Sequence, residues 1–309
     1  MSAQGIAAGD EPGGGGNPMR RTARPRELQD ALNFHLYHPL AWWLARRVAP
    51  TPITPNMISI AGGLCVVAAA IAYTRLAWPV SAAVGLLLHM TWHVLDGADG
   101  DVARLTGRSG PIGEVVDGIC DYAGHIVLYL ALGAMLQHAI GAIAWVPTIA
   151  AGISRIVQAN HFEVERRQYQ WWVYAAPWLR TAPRDEFANK SGLFALGSAY
   201  LALANRVAPE SKRIDDAIDN AANDPPALER IRSVVRGQFL KPLAALQLLS
   251  ANQRTIALGL SMLAGSPIYY FLYEAVLLNI VLLRSIGRCR AAMVRIGVLL
   301  DQADASVLR

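Results

Sequence analysis

The chain has 309 residues, of which 53% are hydrophobic and 17% charged, with a formal net charge of +5 and a mean hydropathy of +0.28. Soluble domains carry roughly 25% charged residues, so the composition argues against a soluble enzyme and for a polytopic membrane protein. In such a chain a basic excess serves topology and lipid contact, which sets nucleic acid aside as a partner. Cys65, Cys120 and Cys289 have neither metal nor disulfide spacing and read as packing residues.

Residues 1–26 hold a run of four glycines and four arginines between 20 and 26; this composition predicts a disordered basic arm. Residues 27–50 place Leu28, Leu32, Phe34, Leu36 and Leu40 among charges and end on Trp42, Trp43, Arg46 and Arg47. That pattern predicts an amphipathic helix lying in the membrane interface. Pro50, Pro52 and Pro55 then break the chain.

Residues 51–160 are expected to hold four spans. Met57–Thr74 is uncharged and long enough to cross. Leu76–Leu95 is a second span, with Trp78-Pro79 at the turn. The apolar run from Gly113 to Ala159 is too long for one crossing of ~30 Å; a break is expected between Gln137 and Gly141. Residues 161–250 read as a cytosolic insertion, with amphipathic helices at 190–206 and 228–249 and an acidic link at 210–224. Residues 251–296 supply the last two spans, with a turn around Gly265 to Glu274 that makes Glu274 an external, structural residue. Residues 297–309 are a cytosolic tail. The prediction is all-α, with six transmembrane helices. Arg104, Arg108, Arg166, Arg167, Arg284, Arg288, Arg290 and Arg295 fall on one side of this layout and Arg75 on the other. The excess of basic residues inside puts both termini and residues 96–121 on the cytoplasmic face, at the inner membrane if the cell is bacterial.

The chemistry is concentrated between residues 96 and 121. Asp96, Asp99, Asp117 and Asp121 sit where two apolar segments end and begin. A carboxylate at membrane depth costs roughly 3 kcal/mol near a helix centre, so four together call for a cation. At 100° per residue, Asp96, Asp99, Gly100 and Ala103 share one helix face, and Asp117 and Asp121 stack on the next helix. Gly100 and Ala103 leave their face bare enough for a flat ring or another backbone to approach. All-oxygen ligation suits Mg²⁺, Mn²⁺ or Ca²⁺ rather than zinc. Carboxylate-held metals next to phosphate serve phosphoryl-type transfer; the residues alone leave open which aspartate is the base.

The full pattern, D-x2-D-G-x2-A-R-x8-G-x3-D-x3-D from Asp96 to Asp121, resembles the signature of the CDP-alcohol phosphatidyltransferase family, and the hydropathy layout extends the resemblance over most of residues 27–296. The resemblance implies six transmembrane helices around a cytosol-facing polar cavity, usually as a homodimer. It also implies transfer of a substituted phosphoryl group from a CDP-linked donor to an alcohol or lipid acceptor, with release of CMP and dependence on Mg²⁺ or Mn²⁺. Carried over by position, Asp96, Asp99, Asp117 and Asp121 ligate metal, and Asp121 is also the base on the acceptor hydroxyl. Asp96, Gly100, Ala103, Arg104 and Gly113 receive the nucleotide, joined by Asn56 at the start of the first span.

The donor is either CDP-diacylglycerol, with a soluble alcohol as acceptor, or a soluble CDP-alcohol, with a lipid hydroxyl as acceptor. The stretch from Gly113 to Asp121 is similar to the second, choline/ethanolamine-like branch. Arg155 inside the fourth span, His161 and Arg254 are the candidate acceptor contacts, and an arginine there points to the first mode or snorkels to the cytosolic edge. His89 and His93, one turn apart beneath Asp96, read as a proton relay or as packed histidines; His125 lies one turn beyond Asp121. A cation transporter using the buried aspartates and an inactive membrane scaffold are the competing classes. The bare Gly/Ala face speaks against transport and the intact aspartates against a scaffold.

Overall fold

The computed structural model describes residues 25–176 and 209–307, and they are all-helical. The expected arm up to residue 24 and the helix expected at 190–206 lie outside the described residues. A short 3-10 turn at Arg26–Leu28 leads into a π-helical turn at Asn33–Tyr37 and then helix α1 (His38–Val48). The amphipathic segment is thus not one regular helix. Its inner face, Tyr37, Ala41 and Ala45, is buried, and Leu40 and Trp43 stay exposed.

Helix α2 (Pro55–Arg75) starts where Thr54 accepts a hydrogen bond from the Met57 N–H and Pro55 supplies the first helical residue. Helix α3 (Val80–Thr106) carries the first half of the aspartate motif in its last three turns and stops at Gly107, whose φ of 66° suits glycine. Helix α4 (Pro111–Ile140) carries the second half in its first turns. The break expected between Gln137 and Gly141 falls at Gly141, φ 75°. After it, α5 (Trp145–Tyr174) returns antiparallel to α4, with Gly133 against Thr148 and Gly152 against Tyr129. Because the hairpin turns at the far end, the start of α4 and the end of α5 finish at the same end of the bundle.

The segment read as an acidic link is helical: α6 (Pro209–Asn220) is tied down by Trp172 Nε1 donating to Asp215 and by an Arg213–Asp301 ion pair. Helix α7 (Pro225–Leu246), capped by Asp224, buries Val235, Phe239, Leu243 and Leu246 against α5 and the last helix. Helix α8 (Ala251–Leu263) has 13 residues, about 20 Å at 1.5 Å per residue, so it is shorter than the hydrocarbon core.

After the turn at Gly265, α9 (Ile268–Leu272), a π turn (Tyr273–Leu277) and α10 (Leu278–Val307) follow without interruption. This corrects the expected position of Glu274. It is not at an external turn but inside the continuous helix, 0% exposed. Hydropathy misled here because the polar partners that bury Glu274 come from distant segments.

Among the described residues, three segments are long and apolar enough to cross a membrane: Pro55–Arg75, Val115–Tyr174 (the α4–α5 hairpin) and Ile268–Gln302. Their exposed apolar side chains, such as Leu64, Ile126, Ile153 and Leu283, fit a lipid-facing surface. Helix α2 packs on both α3 and α4. The α2–α4 contact depends on glycine: a Cβ on Gly63 would stand 3.0 Å from the Cys120 carbonyl oxygen, and one on Gly124 would stand 3.1 Å from the Gly63 carbonyl oxygen. Such close backbone approach is how helices associate where no hydrophobic drive separates them from lipid. It also fixes Asp121, one residue beyond Cys120. Gly63→Val should cost about 1–3 kcal/mol through overpacking and lower the Tm of the detergent-solubilised protein. An unchanged Tm would mean that the seam tolerates a side chain.

Candidate active site

The aspartate motif forms one cluster. Oxygens of Asp96, Asp117 and Asp121 lie within 4.8 Å of one another. Asp99, one turn after Asp96, is 6% exposed; it accepts the Ser59 hydroxyl at 2.6 Å and its own neighbour's backbone N–H, from Gly100, at 2.5 Å. Asp121 is oriented by Trp92, whose indole N–H donates to Oδ1 at 2.6 Å. Carboxylates this close repel unless a cation lies among them, and a set of oxygens alone fits Mg²⁺ or Mn²⁺.

Two spaces flank the cluster. A cavity of about 690 Å³ is lined by Asp96, Asp99, Asp117 and Asp121 together with Gly100, Arg104, Arg155 and Arg254. A smaller cleft of about 190 Å³ shares Asp99, Gly100, Arg104 and Asp117 with it and adds Asn56, Ala103 and Gly113. Asn56 Oδ1 faces Gly113, 3.7 Å from where a Cβ would stand. The residues expected to receive a nucleotide are therefore brought together, and they share walls with the acidic cluster.

The candidate acceptor residues part company. Arg155 and Arg254 line the cavity, whereas His161 does not line it and bonds Ser285 at 3.1 Å, with Glu165 at 3.8 Å. Arg254 is 2% exposed and donates to Glu274 at 3.4 Å and to Gln158 at 3.1 Å. Arg155 donates to the Tyr270 hydroxyl at 3.3 Å and lies 3.7 Å from Glu274 Oε1. Tyr270 and Tyr129 both donate to the Glu274 carboxylate. Gln158 extends the network to Asn279, and Asn279 to Ser154. One carboxylate thus holds two arginines.

The histidines are mostly packed. His93 lines the cavity, stacks on Tyr37 and bonds Thr255 at 2.8 Å. His125 Nδ1 lies 2.7 Å from the Asp121 backbone carbonyl, not its carboxylate. A carbonyl only accepts, so Nδ1 carries the proton, and Nε2 accepts from His89 Nε2 at 3.3 Å.

Two contributors were not singled out from the sequence, Ser59 and Trp92, and a third, Glu274, was read there as external. Trp92 stands one turn before Asp96, and Ser59 three residues after Asn56, so helical spacing from the motif finds both. Glu274 is the one acid in its apolar stretch, and matching intramembrane charges would have paired it with Arg155 and Arg254.

The family model of the CDP-alcohol phosphatidyltransferases matches residues 52–208, half of the chain, and contains the whole cluster. The chain belongs to the CDP-alcohol phosphatidyltransferase family. It is similar to a ceramide phosphoethanolamine synthase of Drosophila melanogaster, 33% identical over 128 residues, which is 38% of this chain and 32% of that protein. The match therefore spans about a third of the relative's length.

Removing Glu274 leaves two buried guanidinium groups without a counter-charge. Glu274→Ala should destabilise the protein by about 3–5 kcal/mol, read as a lower Tm, and adding Arg254→Met should recover part of the loss. A double variant no more stable than the single one would contradict the charge-pairing account.

Proposed function

We propose that this protein is a divalent-metal-dependent membrane transferase that moves a substituted phosphoryl group from a CDP-linked donor to an alcohol and releases CMP, in phospholipid synthesis. The observation that carries this reading is the cluster of Asp96, Asp117 and Asp121 within 4.8 Å, adjoining a cleft lined by Gly100, Ala103 and Gly113. In this reading six helices form the membrane-embedded bundle: α2 to α5, the short α8, and the run from α9 through α10. The cavity opens to the cytoplasm and the chain works as a homodimer, as the family resemblance implies.

The cleft takes the cytidine, with Asn56 and Arg104 as its polar contacts and no side chain on Gly100 or Gly113 to block approach. Asp96, Asp99, Asp117 and Asp121 hold the metal. Bound Mg²⁺ or Mn²⁺ would offset the pyrophosphate charge and stabilise the leaving CMP. The acceptor oxygen forms a bond to the outer phosphorus, the bond from that phosphorus to the CMP oxygen breaks, and Asp121 takes the hydroxyl proton. Trp92 keeps the Asp121 carboxylate turned toward the cluster, and Ser59 does the same for Asp99.

Of the two donor modes, the soluble CDP-alcohol with a lipid hydroxyl as acceptor is better supported. The stretch from Gly113 to Asp121 is similar to the choline/ethanolamine-like branch, which uses a soluble CDP-alcohol. The name of the Drosophila relative, a ceramide phosphoethanolamine synthase, points the same way. Arg155 and Arg254 then shape the acceptor side of the cavity instead of binding an acceptor phosphate.

Purified protein in lipid nanodiscs should release CMP from labelled CDP-ethanolamine or CDP-choline when ceramide or diacylglycerol is present, and should stop on chelation of the metal. Release from CDP-diacylglycerol with a soluble alcohol instead would overturn the donor mode, and release from no donor would overturn the reaction class. Asp121→Asn should lower turnover roughly 10²- to 10⁴-fold, the usual worth of a general base, with Tm unchanged; full activity would remove Asp121 from that role.

A further inference from the structure

Six carboxylates line the large cavity: Asp30, Asp96, Asp99, Asp117, Asp121 and Glu163. Four belong to the metal cluster, and Glu163 is paired with Arg166 and Arg167. Asp30 stands apart from both groups. It comes from the segment before α1, outside the aspartate motif, and pairs with no cation among the described residues. Its partners are neutral amides: Oδ1 accepts the Asn33 backbone N–H at 2.8 Å, and Oδ2 accepts the Asn33 side-chain amide at 3.2 Å and the Asn252 side-chain amide at 2.7 Å. A carboxylate offers about four acceptor sites, so these donors leave room for one more.

The segment is anchored. Glu27, three residues earlier, accepts from the Tyr169 and Tyr174 hydroxyls at 2.6 and 2.5 Å, and Gln29 bonds His38 at 2.8 Å. Asp30 is therefore presented in a fixed position, as a recognition group must be. Its place relative to the chemistry follows from the helices. Asn252 is one turn from Thr255, whose hydroxyl bonds His93, and His93 is one turn before Asp96. Burial first, and the Asp30 charge second, push the Tyr37 phenol up to about 12, so the field of the carboxylate reaches the ring that stacks on His93.

We propose that Asp30 is a specificity-determining residue that receives the ammonium group of a cationic amino-alcohol carried by the CDP-linked donor. This rests on the reading that the donor is a soluble CDP-alcohol. With its outer phosphorus at the acidic cluster, a two-carbon amino alcohol carries its nitrogen about one helical turn away, within the same cavity whose wall includes Asn252 and Asp30. The one remaining acceptor site matches an ammonium that bears N–H groups. A trimethylated nitrogen keeps the charge attraction and loses the hydrogen bond, so the geometry favours a primary amine.

Asp30 also caps the helical turn that follows it through the Asn33 N–H, and a cap alone is the competing account. Asparagine and serine cap as well as aspartate, so Asp30→Asn and Asp30→Ser remove the charge and keep the cap. In nanodiscs, kcat/KM for CDP-ethanolamine should fall roughly 10- to 100-fold in both variants, the worth of a hydrogen bond to a charged group, mainly through KM. The constant for a CDP-alcohol with an uncharged head group, such as CDP-ethylene glycol, and inhibition by CMP should change less than about threefold, within what a near-neutral substitution does. Equal losses for charged and uncharged donors, or no loss for either, would overturn the role of Asp30 and leave the proposed reaction standing. If the unsubstituted protein releases CMP from CDP-diacylglycerol and from no soluble CDP-alcohol, the proposed donor mode fails and this inference with it.

Discussion

Like charges repel, and the fold holds three carboxylates with oxygens within 4.8 Å of one another in a setting where charge is expensive. The geometry that holds them comes from backbone contacts. Helices α2 and α4 meet through Gly63 and Gly124, where an added Cβ would come within 3.1 Å of a carbonyl oxygen. That seam leaves Asp117 and Asp121 no room to retreat from α3. Ser59 and Trp92 then fix two of the four motif carboxylates with hydrogen bonds of 2.6 Å. These bonds leave the two carboxylates little freedom to turn away from the cluster.

A second charge arrangement lies against the same cavity and is solved differently. Arg155 and Arg254 share Glu274, and two tyrosine hydroxyls complete the shell around that carboxylate. Here two guanidinium groups share one carboxylate, so the side chains hold one another in place and this wall keeps a net positive charge. One side of the cavity is thus strongly acidic and the other net basic.

Much of this was legible in the sequence. Spacing of 3, 4 and 7 along α3 and of 4 along α4 is enough to place Asp96, Asp99, Gly100, Ala103, Asp117 and Asp121, because both motif halves lie within single helices. The break at Gly141 was legible because an apolar run of that length exceeds one crossing. Long-range partners were not legible. Glu274 looked external since nothing local marks it as paired, and the helix around 209–220 looked like a link because its burial depends on Trp172 and Asp301 from other elements. Asp30 sits in a short segment whose irregular 3-10 and π turns give no periodic signal. His161 shared a charged neighbourhood in sequence with Arg155, yet it faces Ser285 instead of the cavity.

The order of the pairing partners along the chain has a consequence for biogenesis. Arg155 leaves the ribosome well before Glu274, its counter-ion, has been translated. An arginine at mid-helix raises the free energy of insertion by about 2.5–3.5 kcal/mol on translocon scales. The α4–α5 hairpin must therefore enter the bilayer as an unfinished intermediate, with Tyr129 beneath the guanidinium as its nearest early neighbour. Completion of the last helix relieves that state by bringing Glu274 to the guanidinium.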